Sequence, residues 1–312
     1  MEFNHFTVMK NEAVDMLQIT DGRQDKIYVD ATLGGGGHSE LILQKLNGKG
    51  HLFSFDIDSD AINFSSEKLK NYKNLTIVKD SYVNITENLQ KAGIEKIIGG
   101  VLFDLGASYH QLTKQERGFS FMKEAPLDMR FDSDSKKTAY DVVNNYKEEE
   151  LVKIFSEYGE ERFSKRIAKK IIEERKIKPI KTTIELADLI IKSTPKIKSR
   201  IHPATRVFQA LRIEVNSELT NVKIILEKLM PFLDVGATIS VISFHSLEDK
   251  VVKTIFRKYS RGNQDEMTTG DGICEPAKLE LSVKKPLTAS IDEIKKNPPS
   301  RSAKLRGAKA IR

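Results

Sequence analysis

Asp30, the run Gly34-Gly35-Gly36-Gly37, His38 and Asp56 are residues of this 312-residue sequence whose types and spacing could do chemistry. Asp30 stands four positions before Gly34, and Asp56 stands 20 positions after Gly36. Glycine lacks Cβ and tolerates positive φ, so a glycine turn can double back sharply and let a ligand touch backbone. A helix opening directly after the turn offers free N–H groups to a carboxylate or phosphate. An acid about 20 residues further on suits a ribose diol. Asp30 separates the ligands that such a site could take. Its carboxylate would repel the pyrophosphate of a dinucleotide and attract a ligand carrying ammonium and sulfonium charge. The alternative is that Asp30 only caps a plain tight turn.

The elements around these residues fit a ligand site. Ile27-Tyr28-Val29-Asp30 reads as a buried strand, and Leu41, Ile42 and Leu46 mark a helix near 39–46. Residues 51–56, 75–78 and 97–104 read as three further strands, with helices near 59–70 and 83–92 between them. Alternation of this kind implies a parallel, doubly wound sheet. Its ligands gather beyond the carboxyl ends of the strands, and Asp30, Asp56, Asp80 and Asp104 all fall at such ends. Tyr82, in the loop after the third strand, either lines an adenine face or is a surface aromatic. A fifth strand is expected over 236–244, and 279–283 with 304–311 as a closing pair. The pattern Asp-x-x-x-Gly-x-Gly followed by a distant acid resembles the S-adenosyl-L-methionine (SAM) site of class I methyltransferases.

Between the fourth and fifth strands the alternation stops. Residues 105–135 carry the breakers Gly106, Gly118 and Pro126, whereas 138–192 turn helical. Phe163, Ile167 and Ile171 recur every four residues, the spacing of an amphipathic helix. Thr182-Thr183-Ile184-Glu185 reads as a helix start with a capping acid. Helices are also expected near 203–218 and 220–230, and a mobile loop over 260–276. The predicted architecture is α/β: a Rossmann-like class I SAM methyltransferase domain over residues 1–113 and 207–312. It carries an inserted, mostly helical substrate-recognition domain over 114–206.

Composition narrows the class of partner. Apolar residues make up 39% and charged residues 30%, which fits a globular chain. No apolar run of 18 residues occurs, so no membrane span is expected, and no basic-then-apolar leader opens the chain. A single cysteine, Cys274, excludes an internal disulfide, and cytoplasmic residence is expected. No Cys/His cluster has zinc spacing, so no metal site is expected. The net charge of +7 is unevenly spread. Residues 1–60 hold five Lys/Arg against ten Asp/Glu, residues 162–206 hold fourteen against four, and residues 295–312 hold seven against none. That asymmetry points to a polyanionic partner; a solvated lysine-rich surface is the alternative.

Methyl transfer from SAM needs little covalent catalysis, because the sulfonium is already a good leaving group and rate comes from alignment. The acceptor site should adjoin the fourth strand, at Asp104-Leu105-Gly106-Ala107-Ser108. A carboxylate there could accept hydrogen bonds from an exocyclic amine and draw its lone pair out of ring conjugation. Methylation at carbon 5 of a pyrimidine would need a cysteine nucleophile, and Cys274 is read as non-catalytic.

At this point the sequence resembles the bacterial RsmH (MraW) methyltransferases over nearly its whole length. The marks are His5-Phe6-Thr7-Val8-Met9, Gly34-Gly35-Gly36-Gly37-His38-Ser39, Asp104-Leu105-Gly106 and Arg117-Gly118-Phe119-Ser120-Phe121. Leu127-Asp128-Met129-Arg130, Tyr158-Gly159-Glu160-Glu161-Arg162-Phe163 and the run from His202 to Arg212 follow, then Ile242-Ser243-Phe244-His245-Ser246-Leu247-Glu248-Asp249 and Ser302-Ala303-Lys304-Leu305-Arg306. The resemblance implies transfer of methyl from SAM to the N4 amine of a cytidine in the decoding region of small-subunit (16S) ribosomal RNA. The implied partner is that RNA, or the small ribosomal subunit; the oligomeric state stays open, with a homodimer as one option.

Carried over by resemblance, the cofactor contacts fall on Gly36, Gly37, His38, Asp56, Tyr82, Asp104 and Gln111. Gly34 and Asp30 join them from the glycine turn and from charge, and Asp104 is the candidate catalytic residue. Tyr82 stands where many relatives have Phe, and Tyr109 where relatives usually have Ser. His245 is either a structural histidine or a base or RNA contact. Arg130, Arg206 and Arg212 either meet phosphate or pair internally with Asp128 and Glu214. Phe119 and Phe121 either stack on a base or anchor a loop. A methyltransferase for protein or a small metabolite, a non-enzymatic RNA-binding factor, and a nicotinamide oxidoreductase are the competing readings. The basic segment argues against the first, the intact acids against the second, and Asp30 against the third.

Overall fold

The β-branched and aromatic run after Lys26 forms β1 (Ile27–Asp30). It is preceded by α1 (Lys10–Asp15) and followed by α2 (Gly37–Leu46), β2 (His51–Asp56), α3 (Ser59–Lys68), β3 (Leu75–Lys79), α4 (Ile85–Lys91) and β4 (Gly100–Asp104). Among the described residues, α5 (Ala139–Asn145), α6 (Glu148–Glu157), α7 (Ser164–Arg175), α8 (Thr183–Ser193) and α9 (Ala204–Asn216) come next. The chain closes with α10 (Glu218–Leu229), β5 (Thr238–Ser243), α11 (Ser246–Arg261), β6 (Leu279–Leu281), β7 (Leu287–Thr288), α12 (Ile291–Lys296) and β8 (Lys304–Ala310). The computed structural model describes residues 7–20, 22–107, 111, 114–195, 202–261 and 276–312. Ser108, Tyr109, His110, Cys274 and most of the expected mobile loop over 260–276 lie outside the described residues.

The first unit comprises Met1–Gly106 and Leu219–Arg312. Its sheet has the order β3-β2-β1-β4-β5-β8-β6, with β7 also paired to β8. Strands β1 to β5 are mutually parallel and β8 runs antiparallel to β5. The doubly wound sheet and the closing pair expected from the hydrophobic pattern are both present. Val29, Phe55, Val101, Phe103 and Val241 pack on one face with Leu89, Ile225, Leu229 and Phe256 of the helices. Tyr28, Leu52, Leu102 and Ile242 pack on the other face with Val14, Ile42 and Leu43. Apolar side chains on both faces are what a parallel sheet covered by helices requires. The expected strand over 97–104 is shorter, because Ile97 pairs instead with the segment after α10: its N–H donates to Phe232 O (2.9 Å) and its carbonyl accepts from Asp234 N (2.9 Å).

The order of strands reverses at β1, which pairs with β2 on one side and β4 on the other. Ligands of open α/β sheets bind beyond the carboxyl ends at such a reversal. Asp30 and Asp104 end the two strands that flank it.

The second unit comprises Ala107–Glu218. Its core holds Val142, Leu151, Phe155, Ile167, Ile171, Leu186, Ile190, Val207, Phe208 and Leu211, all buried. The capping box at Thr182 is formed: Glu185 N donates to Thr182 Oγ1 (3.2 Å) and Thr182 N donates to Glu185 Oε2 (3.0 Å). The unit boundaries fall at 106/107 and 218/219 rather than at 113/114 and 206/207. The physical reason for the second shift is α9, whose apolar face (Val207, Phe208, Leu211, Val215) belongs to this helical core.

Candidate active site

The turn after β1 is held from three directions. Leu33 N donates to Phe55 O (2.8 Å), Gly36 N donates to Leu33 O (2.7 Å), and Ser65 Oγ donates to Gly34 O (2.8 Å). Gly36 has φ +70, and a Cβ there would lie 3.0 Å from Ser65 Oγ and 3.2 Å from Leu69 Cδ1. A Cβ at Gly37 would overlap Thr7 Oγ1 and sit 2.9 Å from Thr7 Cβ. Both positions therefore need glycine, the first for its left-handed backbone and both for close packing. The turn delivers the chain into α2, whose first N–H groups face the carboxyl end of the sheet.

Asp30 is fully buried. Its Oδ1 accepts from Thr32 N (3.1 Å) and its Oδ2 from Ser39 Oγ (2.7 Å), which also meets Ser54 Oγ at 2.8 Å. Burial pushes its carboxyl up to about 6, against the opposing hydrogen bonds from Ser39 and Thr32. With no exposed surface and its oxygens on Thr32 N and Ser39 Oγ, Asp30 fixes the turn after β1.

Asp56 accepts from Gly34 N through Oδ2 (2.8 Å) and from Asp58 N through Oδ1 (2.9 Å). It is thus tied to the turn across the strand gap. Burial raises its carboxyl to about 6 as well. Each carboxylate oxygen keeps a further lone pair for a hydroxyl.

Asp104 N donates to Thr32 Oγ1 (2.7 Å), which aligns the end of β4 with the turn. Its Oδ2 lies 3.7 Å from His38 Nδ1. Its Oδ1 is shielded from solvent and has no hydrogen-bond partner among the described residues. Burial, then the charges of Asp30 and Glu248, hold its carboxyl well above the usual range. His38 is 3% exposed, and its Nε2 meets Val8 O at 3.2 Å. A carbonyl can only accept, so Nε2 carries a proton and Nδ1 is the atom turned to Asp104.

Tyr82 opens a short 3₁₀ turn after β3 and packs edge-on against Phe103, ring centroids 6.0 Å apart at 85°. Phe103 precedes Asp104 in β4, so Tyr82, Asp104, Asp56, His38 and the glycines gather at one end of the first unit's sheet. Gln111 is buried and belongs to the second unit. Asp80 is a capping acid: its Oδ1 accepts from Ser81 N (2.7 Å) and Asn84 Nδ2 (2.9 Å), and its Oδ2 from Asn88 Nδ2 (2.7 Å). Burial would raise that carboxyl, but the Asn84 and Asn88 amides outweigh it and hold it low.

Thr32, Ser39 and Glu248 are site residues that the sequence reading did not single out. Glu248 is 1% exposed; it accepts from Phe244 N (2.8 Å) and His245 N (3.3 Å) and approaches His245 Nε2 at 3.1 Å. Its signal was present, since an acid two positions after a serine, just past a strand end, is a helix-start pattern. Nothing in the residue types marks Thr32.

In the second unit, Arg130 and Arg212 pair internally with carboxylates. Arg130 forms a two-point pair with Asp128, Nε to Oδ1 at 2.8 Å and Nη2 to Oδ2 at 2.7 Å. Arg206 Nη1 donates to Glu160 O (3.2 Å). Arg212 pairs with Glu218 (2.9 and 3.0 Å), not with Glu214, which is held by Lys137 (3.0 Å) and Tyr146 (2.6 Å). Phe119 stacks on Phe131, and Phe121 on His202 with its edge against Phe208. Both phenylalanines are therefore packed loop anchors.

An enclosed carboxylate with a partnerless oxygen, beside two further desolvated acids, is a place short of positive charge. A cationic ligand would relieve that shortage. The chain is 51% identical to the ribosomal RNA small subunit methyltransferase H of Caldicellulosiruptor bescii, over 99% of this chain and 100% of that one. A crystal structure of an rRNA methylase from Streptococcus thermophilus is 12% identical, covering 96% of this chain and 95% of that one with a TM-score of 0.43. With residues 2–311 matched by the family described as the MraW methylase family, the chain belongs to that family.

Proposed function

We propose that this chain transfers the methyl group of SAM to the exocyclic N4 amine of a cytidine in the decoding region of small-subunit ribosomal RNA. The observation that carries this reading is the 51% identity across essentially the full length of a ribosomal RNA small subunit methyltransferase H. A SAM-dependent rRNA methyltransferase is what a MraW methylase with that relative is; the N4 position and the decoding region are the finer assignment, from the resemblance. The same reading puts the protein in the cytoplasm with the small ribosomal subunit. No helix among the described residues is long and apolar enough to cross a membrane.

The side chains fit the cofactor. Asp104 Oδ1 is a shielded acceptor without a partner, and Asp30, Asp56 and Asp104 all have carboxyls raised by burial. A cation would lower the cost of ionising them. When bound, SAM supplies an electrophilic methyl group on a good leaving group. Asp56 would accept from ribose hydroxyls through its remaining lone pairs, and Gly34, Gly36 and Gly37 would present bare backbone. Tyr82, braced on Phe103, would cover the adenine. His38 would orient Asp104. Asp104 would orient the target amine, or the methionyl ammonium beside it. A hydrogen bond from the amine to Asp104 turns the N4 lone pair out of the ring. The target base must leave its stacked surroundings to reach the site, and the helical unit over 107–218 would recognise the surrounding RNA.

The test is transfer of labelled methyl from SAM to small-subunit RNA by the purified protein, followed by mass spectrometry of the digested nucleosides. N4-methylcytidine is expected. Label appearing only at carbon 5, or only in protein or metabolites, would overturn the assignment.

A further inference from the structure

Helix α11 carries positive charge that the SAM site does not use. Lys253 and Arg257, one turn apart, line a pocket together with Lys284 and Lys285 from the β6–β7 connection and Arg306 from β8. Its cavity volume is about 190 Å³, below the roughly 300–1,000 Å³ of clefts that enclose a small ligand, so it suits a group docked at the surface. No acid lines it. Arg306 is compensated, because its Nε meets Asp249 Oδ1 at 2.7 Å and its Nη2 meets Oδ2 at 3.2 Å. Lys253, Arg257, Lys284 and Lys285 form no ion pair among the described residues. Four uncompensated cations around one cavity repel one another, and an anion relieves that repulsion.

Two further features select the kind of anion. Buried Phe256 and half-buried Leu281 and Pro286 give the pocket an apolar wall, which suits a sugar or base attached to the anionic group. Lys250 and Arg261 continue the Lys253–Arg257 face in both directions at spacings of three and four residues, and both are exposed. The result is a charged track about 16 Å long at 1.5 Å per residue. A single phosphate would use one point of such a track; a polymer of phosphates uses all of it.

We infer that this pocket and track hold the phosphodiester backbone of an RNA segment, as a docking site on the catalytic unit. The inference rests on the proposal that RNA is the substrate. The variant that tests it is Lys253→Gln, Arg257→Gln, Lys284→Gln and Lys285→Gln combined, in the full chain. Its binding to small-subunit RNA, measured by fluorescence anisotropy at several salt concentrations, should be at least tenfold weaker at low salt. The slope of log affinity against log salt should flatten by roughly 2–3, since each single-strand phosphate contact contributes about 0.7. Melting temperature and SAM affinity should stay at their wild-type values, and kcat at saturating RNA should stay within twofold. Restoring charge with Arg at the lysine positions should recover binding. Unchanged affinity and slope in a folded variant would overturn the inference, as would inorganic phosphate competing as strongly as RNA per phosphate. If the wild-type protein methylates no ribosomal RNA, the proposed function fails. The binding comparison then still decides the pocket, by whether the variant loses the salt-dependent RNA affinity of the wild type.

Discussion

His38 presents Nδ1 to Asp104 Oδ2 at 3.7 Å while its Nε2–H is spent on the Val8 carbonyl at 3.2 Å. The fixed tautomer turns a lone pair toward a carboxylate, so the pair is comfortable only when one member carries an extra proton. Burial and the neighbouring charges of Asp30 and Glu248 favour protonation of Asp104.

A pH dependence of cofactor binding follows. Asp104 is neutral below its raised pKa and anionic above it, and a cationic ligand binds the anionic form better. SAM affinity should therefore rise with pH across the range where Asp104 ionises, by up to tenfold per unit, and level off above it. Asp104→Asn should bind more weakly, by about 1.5–3 kcal/mol, with a flat profile. Calorimetry over a pH series running upward from the ordinary carboxylate range checks this, and a wild-type profile that stays flat throughout would exclude Asp104 from the cation site.

Asp30 makes a prediction about stability. Its folded pKa of about 6 lies above the unfolded value near 4, so the native state binds the extra proton. The stability it contributes is fully present below pH 4 and is lost as pH rises through 6, on the order of 3 kcal/mol. Asp30→Asn removes this loss. Its carbonyl can still accept from Thr32 N, and its amide can donate to Ser39 Oγ, which can turn its own proton to Ser54. The melting temperature of the variant should gain on the wild type between pH 4 and 7. Parallel melting curves across that range would show that Asp30 is not a buried titrating acid.

Gly37 predicts a specific pair of compensating substitutions. Gly37→Ala drives a methyl group into Thr7 and should cost about 1–3 kcal/mol. Thr7→Gly removes both overlapping atoms, so the double variant should recover most of the loss. A double-mutant cycle by denaturant unfolding measures the coupling; simple additivity would mean that the two residues do not touch.

Much of this was legible in residue types. The Gly34–Gly37 run, the strand before it and the acids at strand ends pointed to the β1/β4 reversal, where the turn, Asp30 and Asp104 are found, and the sheet followed from alternation. What the sequence could not disclose was how the polar atoms are spent. Asp30 is consumed by Thr32 and Ser39, a matter of burial rather than spacing. Arg212 reaches Glu218 instead of Glu214 because Ser217 adopts a left-handed conformation, φ +51, that ends α9 and turns the chain back. Helical periodicity makes i, i+3 and i, i+4 neighbours, which already disfavours Glu214 at i+2, but it carries no information about that reversal.

Asp56 gives the last prediction, and it separates two jobs of one carboxylate. Its two oxygens hold Gly34 N and Asp58 N, so it shapes the turn, and in the proposed site it also meets the ribose. Asp56→Asn keeps the size but turns one oxygen into a donor, which would oppose one of those two N–H groups. That should lower stability by about 1–3 kcal/mol, the cost of an unsatisfied buried donor. Asp56→Glu keeps the charge and displaces it by one methylene. If the ribose contact is the larger share, Asp56→Asn should lose SAM affinity by about 1.5–3 kcal/mol while still binding SAM analogues that lack ribose hydroxyls as well as the wild type does. If turn geometry is the larger share, both variants should lose affinity for hydroxylated and deoxygenated analogues alike. Calorimetric titration of the two variants with the paired analogues, alongside thermal melts, decides between them; full affinity for every analogue in both variants would remove Asp56 from the cofactor site.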